Sequence, residues 1–98
     1  MLQRRRHNRD KLQIMANILD LSLVGLKKTH IMARANLSYE QTLCYLKELQ
    51  VTGLLEQRTE EGAVVYGTTV KGRTFLDYFS HMSRLIKEYA DPAVPRVV

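Results

Sequence analysis

The chain has 98 residues, 45% of them apolar, and its 15 Lys or Arg against 10 Asp or Glu give a net charge of +5. A chain of this length forms one compact domain with a small core. It leaves no room for a second domain with a substrate cleft between the two, which argues against a large multi-step enzyme.

The single cysteine, Cys44, has no partner for an internal disulfide, so nothing in the composition indicates an oxidising compartment. No apolar run reaches the roughly 18 residues of a membrane span. The basic start is followed by polar residues instead of the apolar stretch of a signal peptide. We therefore expect a cytoplasmic protein that is neither exported nor membrane-spanning.

The positive charge is concentrated at the start of the chain. Within the first 11 residues Asp10 is the one acid, and the net charge is +4. The cations of this segment are Arg4, Arg5, Arg6, Arg9 and Lys11. Residues 1–9 therefore form a basic arm of the kind that binds an anionic polymer or surface. A solvated terminus without a partner is the alternative.

A first helix is predicted from Asp10 to Val24, because apolar residues recur there at three- and four-residue spacing. Gly25 ends it as a C′ residue would. Thr29 is a plausible N-cap for a second, short helix that ends at Asn36. The residues expected on the inner side of this second helix are Ile31, Met32 and Ala35.

A third helix is predicted from Ser38, because Ser38 and Gln41 have the spacing of a capping box. Gly53 closes this helix in a C′ position. The residues expected to face inward are Leu43, Leu46 and Leu49. The turn between the second and third helices is too short for antiparallel packing, so the two should cross steeply as a helix-turn-helix.

Two runs rich in apolar, Thr and Tyr residues follow, 54–59 and 63–68, separated by the three-residue link 60–62. This pattern predicts a β-hairpin. A two-stranded ribbon is only marginally stable by itself, so one face should pack on the helices. We expect Leu55 and Val65 on that buried face.

Thr69 can cap a last helix that runs to about Tyr89, a length of about 20 residues and 30 Å. A heptad seam is formed by Phe75, Phe79, Met82, Ile86 and Tyr89. A helix of this length extends beyond a small domain, so the seam favours a dimer, with packing inside one chain as the alternative. Residues 91–98 are expected to form a loose tail.

These elements predict a mainly α fold with a small β-hairpin (α+β). It is a winged helix-turn-helix domain over residues 10–70, followed by a long C-terminal dimerisation helix over residues 71–90. The block KTHIMARANLSY, Lys28 to Tyr39, and the block TVKGRTFL, Thr69 to Leu76, resemble the archaeal winged-helix DNA-binding proteins. That family includes small Sulfolobus chromatin proteins that dimerise through a C-terminal antiparallel coiled coil. The resemblance covers about residues 10–89 and implies double-stranded DNA and a second copy of the chain as partners.

A recognition helix in the major groove places the start of the third helix against base edges. The predicted base readers are Ser38, Tyr39, Gln41, Thr42 and Tyr45. Gln41 is the strongest of them, because its amide can pair twice with adenine. A solvated polar helix face is the alternative.

Phosphate contacts are expected around the second helix, where a helix N-terminus and nearby cations suit anions. The predicted residues are Lys27, Lys28, Thr29, His30 and Arg34, with Arg58 on the hairpin. Glu60 and Glu61 make the hairpin tip acidic, which departs from wings that bind DNA through cations. The arginines of the basic arm could compensate by entering the adjacent minor groove.

No catalytic constellation is evident, and the three histidines and Cys44 lack the spacing of a zinc site. We expect no enzyme activity, no cofactor and no small-molecule ligand. Three functions remain open. The chain could be a dimeric transcription regulator, an architectural chromatin protein with little sequence preference, or a winged-helix module that binds other proteins.

Overall fold

The structure is a computed structural model that describes residues 10–90, with side chains described over residues 10–86. Three helices precede a hairpin and a long last helix, which confirms the predicted mainly α fold with a small β-hairpin. The elements in chain order are α1 (Lys11–Leu21), a 3-10 turn (Ser22–Val24), α2 (Lys28–Ala35), α3 (Tyr39–Val51), β1 (Leu55–Glu60), β2 (Ala63–Thr68) and α4 (Val70–Ala90).

Helix α1 begins with a capping box that the sequence reading missed. Asp10 Oδ1 accepts from the Gln13 amide at 2.9 Å, and Gln13 Oε1 accepts from the Asp10 amide at 3.3 Å. Its inner face packs Ile18 and Leu19, both fully buried, into the core. The predicted helix extended to Val24, but its last turn tightens to 3-10 geometry before Gly25 at φ 80°.

Helix α2 begins at Lys28, with Lys27 as the N-cap, so the prediction of Thr29 as the cap is wrong. The reason is a short strand segment before the helix. Leu26 exchanges backbone hydrogen bonds of 3.1 and 2.8 Å with Tyr66, which holds the chain extended up to Lys27. Asn36 ends the helix at φ 58°, as predicted.

Helix α3 begins with the predicted capping box, in which Ser38 and Gln41 exchange hydrogen bonds of 3.1 and 2.9 Å. Its buried residues are Thr42, Leu46 and Leu49, so the inward stripe passes through Thr42. The prediction that Leu43 faces inward is therefore wrong, since that side chain is 40% exposed. Gly53 ends the helix region at φ 81°.

The hairpin turn has two residues, not three, because Glu60 pairs with Ala63. Glu61 and Gly62 both have positive φ, 51° and 80°, as in a type I′ turn. Leu55 and Val65 are both buried, but Val65 pairs with Arg58, three residues from Leu55. Side chains alternate along a strand, so Leu55 and Val65 lie on opposite faces, and the prediction that they share one is wrong.

The first turn of α4 contacts the end of α3 and the start of the hairpin. Thr69 Oγ1 accepts from the Gly72 amide at 3.0 Å, which confirms Thr69 as the cap. A Cβ at position 72 would overlap the Leu54 carbonyl oxygen, so glycine is what allows α4 to approach the start of the hairpin. Lys71 Nζ donates to the Thr52 carbonyl at 2.7 Å and satisfies the end of α3.

Candidate nucleic-acid interface

The first turn of α3 is exposed beside the first turn of α2. The side chains of Ser38, Tyr39, Glu40 and Gln41 all face solvent, and Tyr39 is 56% exposed. Asn36, in the left-handed conformation, and the buried Leu37 make the turn that sets the two helices at an angle. Three of the five predicted base readers, Ser38, Tyr39 and Gln41, are therefore accessible.

Gln41 is accessible but already has a structural role. Its Oε1 accepts from the Ser38 amide at 2.9 Å, so the carbonyl end of the amide points back into the cap. A double contact with adenine requires both ends of the amide to point at the base. Gln41 can therefore pair twice with adenine only after it leaves the capping box.

Two predicted base readers are placed differently from the expectation. Thr42 is fully buried, and its Oγ1 donates to the Ser38 carbonyl at 2.8 Å, so its proposed contact with bases is wrong. This hydrogen bond satisfies the hydroxyl and lets the methyl group join the core. Tyr45 was expected on the outermost face, but it is half-buried and packs against the core.

Several cations and the ring of Tyr39 lie close together at the start of α2. Lys28 Nζ lies 5.5 Å from the centroid of the Tyr39 ring, a cation–π contact between the first residues of α2 and α3. Thr29, His30 and Arg34 are exposed on the same helix, as is Lys27 before it. Four of the five predicted phosphate-binding residues of this segment are thus exposed, and Lys28 is half-buried.

Arg58 is not a free cation on the hairpin. Its Nε donates to Glu60 Oε2 at 3.1 Å and its Nη1 to Glu56 Oε2 at 3.3 Å. The hydrogen bond to Glu60 is the main cause of the raised pKa of the Arg58 guanidinium. The expected phosphate contact of Arg58 is inconsistent with this arrangement, since both partners would have to be displaced.

The basic arm, with Arg4, Arg5, Arg6 and Arg9, lies outside the described residues. Among the first described residues, Lys11 Nζ forms an ion pair with Glu48 Oε2 of α3 at 2.9 Å. The hydrogen bond to Glu48 raises the pKa of the Lys11 ammonium. The start of α1 therefore lies close to α3.

A family model described as winged helix-turn-helix matches residues 8–87. The chain belongs to the winged helix-turn-helix family. The hairpin β1–β2 is accordingly its wing, and α2 and α3 are its helix-turn-helix. A search of curated proteins gave no significant match.

Solved structures of DNA-binding and regulatory proteins have a similar fold. Sso10a-2, a DNA-binding protein from Sulfolobus solfataricus, is 23% identical over 82% of this chain and 84% of its own, with a TM-score of 0.71. BldR, a transcriptional regulator from the same organism, is 19% identical over 87% and 64%, with a TM-score of 0.69. MepR of Staphylococcus aureus, crystallised with DNA, is 13% identical over 76% and 66%, with a TM-score of 0.65.

The first part of the apolar seam on α4 is half-buried within the domain, and the second part is exposed. Phe75 and Phe79 are half-buried and stack with ring centroids 6.3 Å apart, and Phe75 packs against the core. Met82 is 41% and Ile86 58% exposed, while the side chain of Tyr89 lies outside the described part. Tyr78 and Leu85, which were not predicted in the seam, are 71% and 68% exposed and widen the apolar surface.

One further residue of the helix-turn-helix, Lys47, was not among the predicted site residues. Lys47 is an exposed cation on α3, and the wrong prediction that Leu43 faces inward concealed it, because residues four positions apart share a helix face. Cys44 is exposed on the same helix as a free thiol.

Over residues 10–86 no group of three or more His, Cys, Asp or Glu could hold a metal ion. None of the described helices is both long and apolar enough to cross a membrane.

Proposed function

We propose that this winged helix binds double-stranded DNA as a dimeric transcription regulator. The observation that carries the proposal is the contact between Lys28 and Tyr39. It places a cation of the α2 N-terminus directly beside an exposed aromatic ring at the α3 N-terminus. Lys28 would hold a phosphate while the start of α3 lies in the major groove, where Tyr39 can touch a thymine methyl or the backbone.

The remaining phosphate contacts would come from both sides of this pair. Thr29, His30 and Arg34 extend the basic surface along α2. The basic arm, residues 1–9, would enter the adjacent minor groove, and the Lys11–Glu48 ion pair, which holds the start of α1 near α3, supports this. DNA binding of this kind fits a cytoplasmic, nucleoid-associated protein.

We propose that residues 71–90 are the dimerisation helix. Tyr78, Met82, Leu85 and Ile86 leave one apolar surface on α4 uncovered by the rest of the domain. A second copy would cover it by the same residues, as twofold symmetry requires. Two recognition helices would then face DNA half-sites about one helical turn apart.

Fluorescence anisotropy with a labelled random duplex at two salt concentrations tests DNA binding. We expect binding at low salt that weakens steeply as salt rises, because phosphate contacts release counterions. Absence of binding at low salt would contradict the proposal. It would favour a protein-binding module, for which two exposed apolar residues of α3 are the supporting observation, Leu43 one turn after Glu40 and Val51 at the end of the helix.

Selection from a random duplex library separates a regulator from an architectural protein. Enrichment of a motif supports regulation, since base contacts at Ser38 and Tyr39 would give sequence preference. A protein that binds DNA without enriching any sequence would be architectural, with a specificity ratio near one.

A further inference from the structure

The wing contains a row of three charged residues that alternates in sign. Glu56, Arg58 and Glu60 occupy every second position of β1 and therefore point to the same face of the sheet. Both carboxylates accept hydrogen bonds from the single guanidinium between them, at 3.3 and 3.1 Å. The row has a net charge of −1, and Glu61 in the turn adds a second negative charge to the wing tip.

The position of Arg58 is set by two glycines. A Cβ on Gly67 would overlap Arg58 Nη1, and a Cβ on Gly25 would lie 2.9 Å from Nη2. The guanidinium therefore lies across the sheet, along a path that any larger residue at these two positions would obstruct. Val65, the strand partner of Arg58, is buried on this same face. The side chain of Arg58 thus covers part of the sheet instead of extending into solvent.

The neighbouring charges make the wing repel phosphates. Glu56 and Glu60 remain about half exposed while they hold Arg58. Lys27, a predicted phosphate contact, lines a cleft together with Glu60 and Glu61. The acidic side chains of the wing therefore also reduce the positive electrostatic potential around Lys27, just before α2.

We propose that Glu56 and Glu60 are positioning residues that keep the wing off DNA by holding Arg58 across the sheet. This inference rests on the proposed DNA binding and deepens it. In the bound state the helix-turn-helix and the basic arm carry the contacts, and the wing stays in solvent. The two glutamates thereby lower the affinity for any duplex, since phosphate contacts supply most of the sequence-independent binding.

The test replaces both glutamates by threonine, which suits a strand and is too short to reach Arg58. For E56T/E60T we expect about tenfold tighter binding to a random duplex at low salt. The slope of log K against log salt should steepen by about 0.9, as expected for one phosphate newly neutralised by Arg58. The matched control D20N/D77N removes two exposed charges from α1 and α4 and should leave the slope unchanged.

A third variant isolates the role of Arg58. Arg58→Met keeps an unbranched chain over Val65 and removes the charge, so R58M alone should leave the salt slope unchanged. Added to E56T/E60T, it should abolish the steeper slope. Thermal melts that agree within a few degrees would show that all the variants fold.

The outcomes distinguish the two proposals. If the wild type binds DNA and E56T/E60T gains no more affinity than the control, the proposed role of the two glutamates is wrong. The proposed DNA binding is not affected by that result. If the salt slope of E56T/E60T stays steeper after R58M is added, the substitutions only relieved repulsion by the glutamates. That result also contradicts the proposed role of Glu56 and Glu60 in holding Arg58. Failure of every variant to bind a duplex at low salt overturns the proposed function and the restraint together.

Discussion

Lys28 Nζ lies 5.5 Å from the centre of the Tyr39 ring, and this contact joins the first residue of α2 to the first residue of α3. The intervening turn makes it possible, because Asn36 in the left-handed conformation directs the chain back toward the start of α2. The ring limits the positions that the flexible lysine can take. A phosphate-binding cation is thereby held next to the proposed base-reading turn.

Lys28→Ala should weaken binding to all duplexes by a similar factor, because phosphates carry no sequence information. The slope of log K against log salt should fall by about 0.9, the value for one phosphate contact. Anisotropy titrations at several salt concentrations measure both quantities. Arg84→Ala on the exposed part of α4 is the control with the same change in charge. An equal loss of slope in both variants would argue against a specific role for Lys28.

Removal of residues 1–9 should weaken duplex binding at least tenfold and flatten its salt dependence, because four arginines are lost. Replacement of Arg4, Arg5, Arg6 and Arg9 by glutamine keeps the length of the arm and should give the same result. Both proteins are compared with the full chain in the same titrations. A salt slope that stays the same after the deletion would be incompatible with a DNA-binding arm.

The double substitution M82E/I86E should convert a dimer into a monomer, because it places charges in the exposed apolar surface of α4. Light scattering at micromolar concentration should give a mass near 11.4 kDa for this variant and about twice that for the wild type. His81→Glu, an exposed residue of the same helix, is the control and should remain dimeric. A wild-type mass near 11.4 kDa would refute the dimer.

Thr68→Val should reduce the free energy of unfolding by about 1–2 kcal/mol, the usual effect of losing a buried hydrogen bond. Thr68 Oγ1 donates to the Leu19 carbonyl at 2.6 Å and joins β2 to α1 across 49 positions of the chain. Urea denaturation measures the change. Thr59→Val, at an exposed position near the end of β1, should change stability by less than about 0.5 kcal/mol. Equal effects at both positions would show that the buried hydrogen bond is not stabilising.

The helices could be predicted because their signals are local. Ser38 and Gln41 sit three residues apart at the start of α3, and Thr69 precedes α4, so each cap is visible within one turn of sequence. The burial of Thr42 in place of Leu43 was not predictable in this way. A threonine joins a core only when its hydroxyl finds a partner, here the Ser38 carbonyl.

The predicted hairpin link was one residue too long, and this difference reverses which side chains share a face of the ribbon. A three-residue link would pair Leu55 with an odd-numbered position of β2 and place Val65 on its side of the ribbon. The two-residue turn pairs Glu60 with Ala63 and reverses this relation. The ion pairs of Arg58 were not predicted either, although its spacing of two from both Glu56 and Glu60 is visible in the sequence.

Residues of the candidate site could be predicted only where their position at the start of a helix makes them exposed. Ser38, Tyr39 and the cations from Lys27 to Arg34 are accessible because they lie at or near the first turns of α2 and α3. The sequence could not show that Gln41 Oε1 caps α3 or that Tyr45 packs against the core. Both depend on distances between atoms that helical periodicity does not determine.

The most direct test of the account is a titration of the isotope-labelled protein with a short duplex, followed by nuclear magnetic resonance. The largest shifts in amide signals should fall on residues 27–34 and 38–41, while the wing residues 58–62 should change little. The absence of any shift at low salt, or shifts centred on the wing with α2 and α3 unaffected, would contradict the proposed mode of DNA binding.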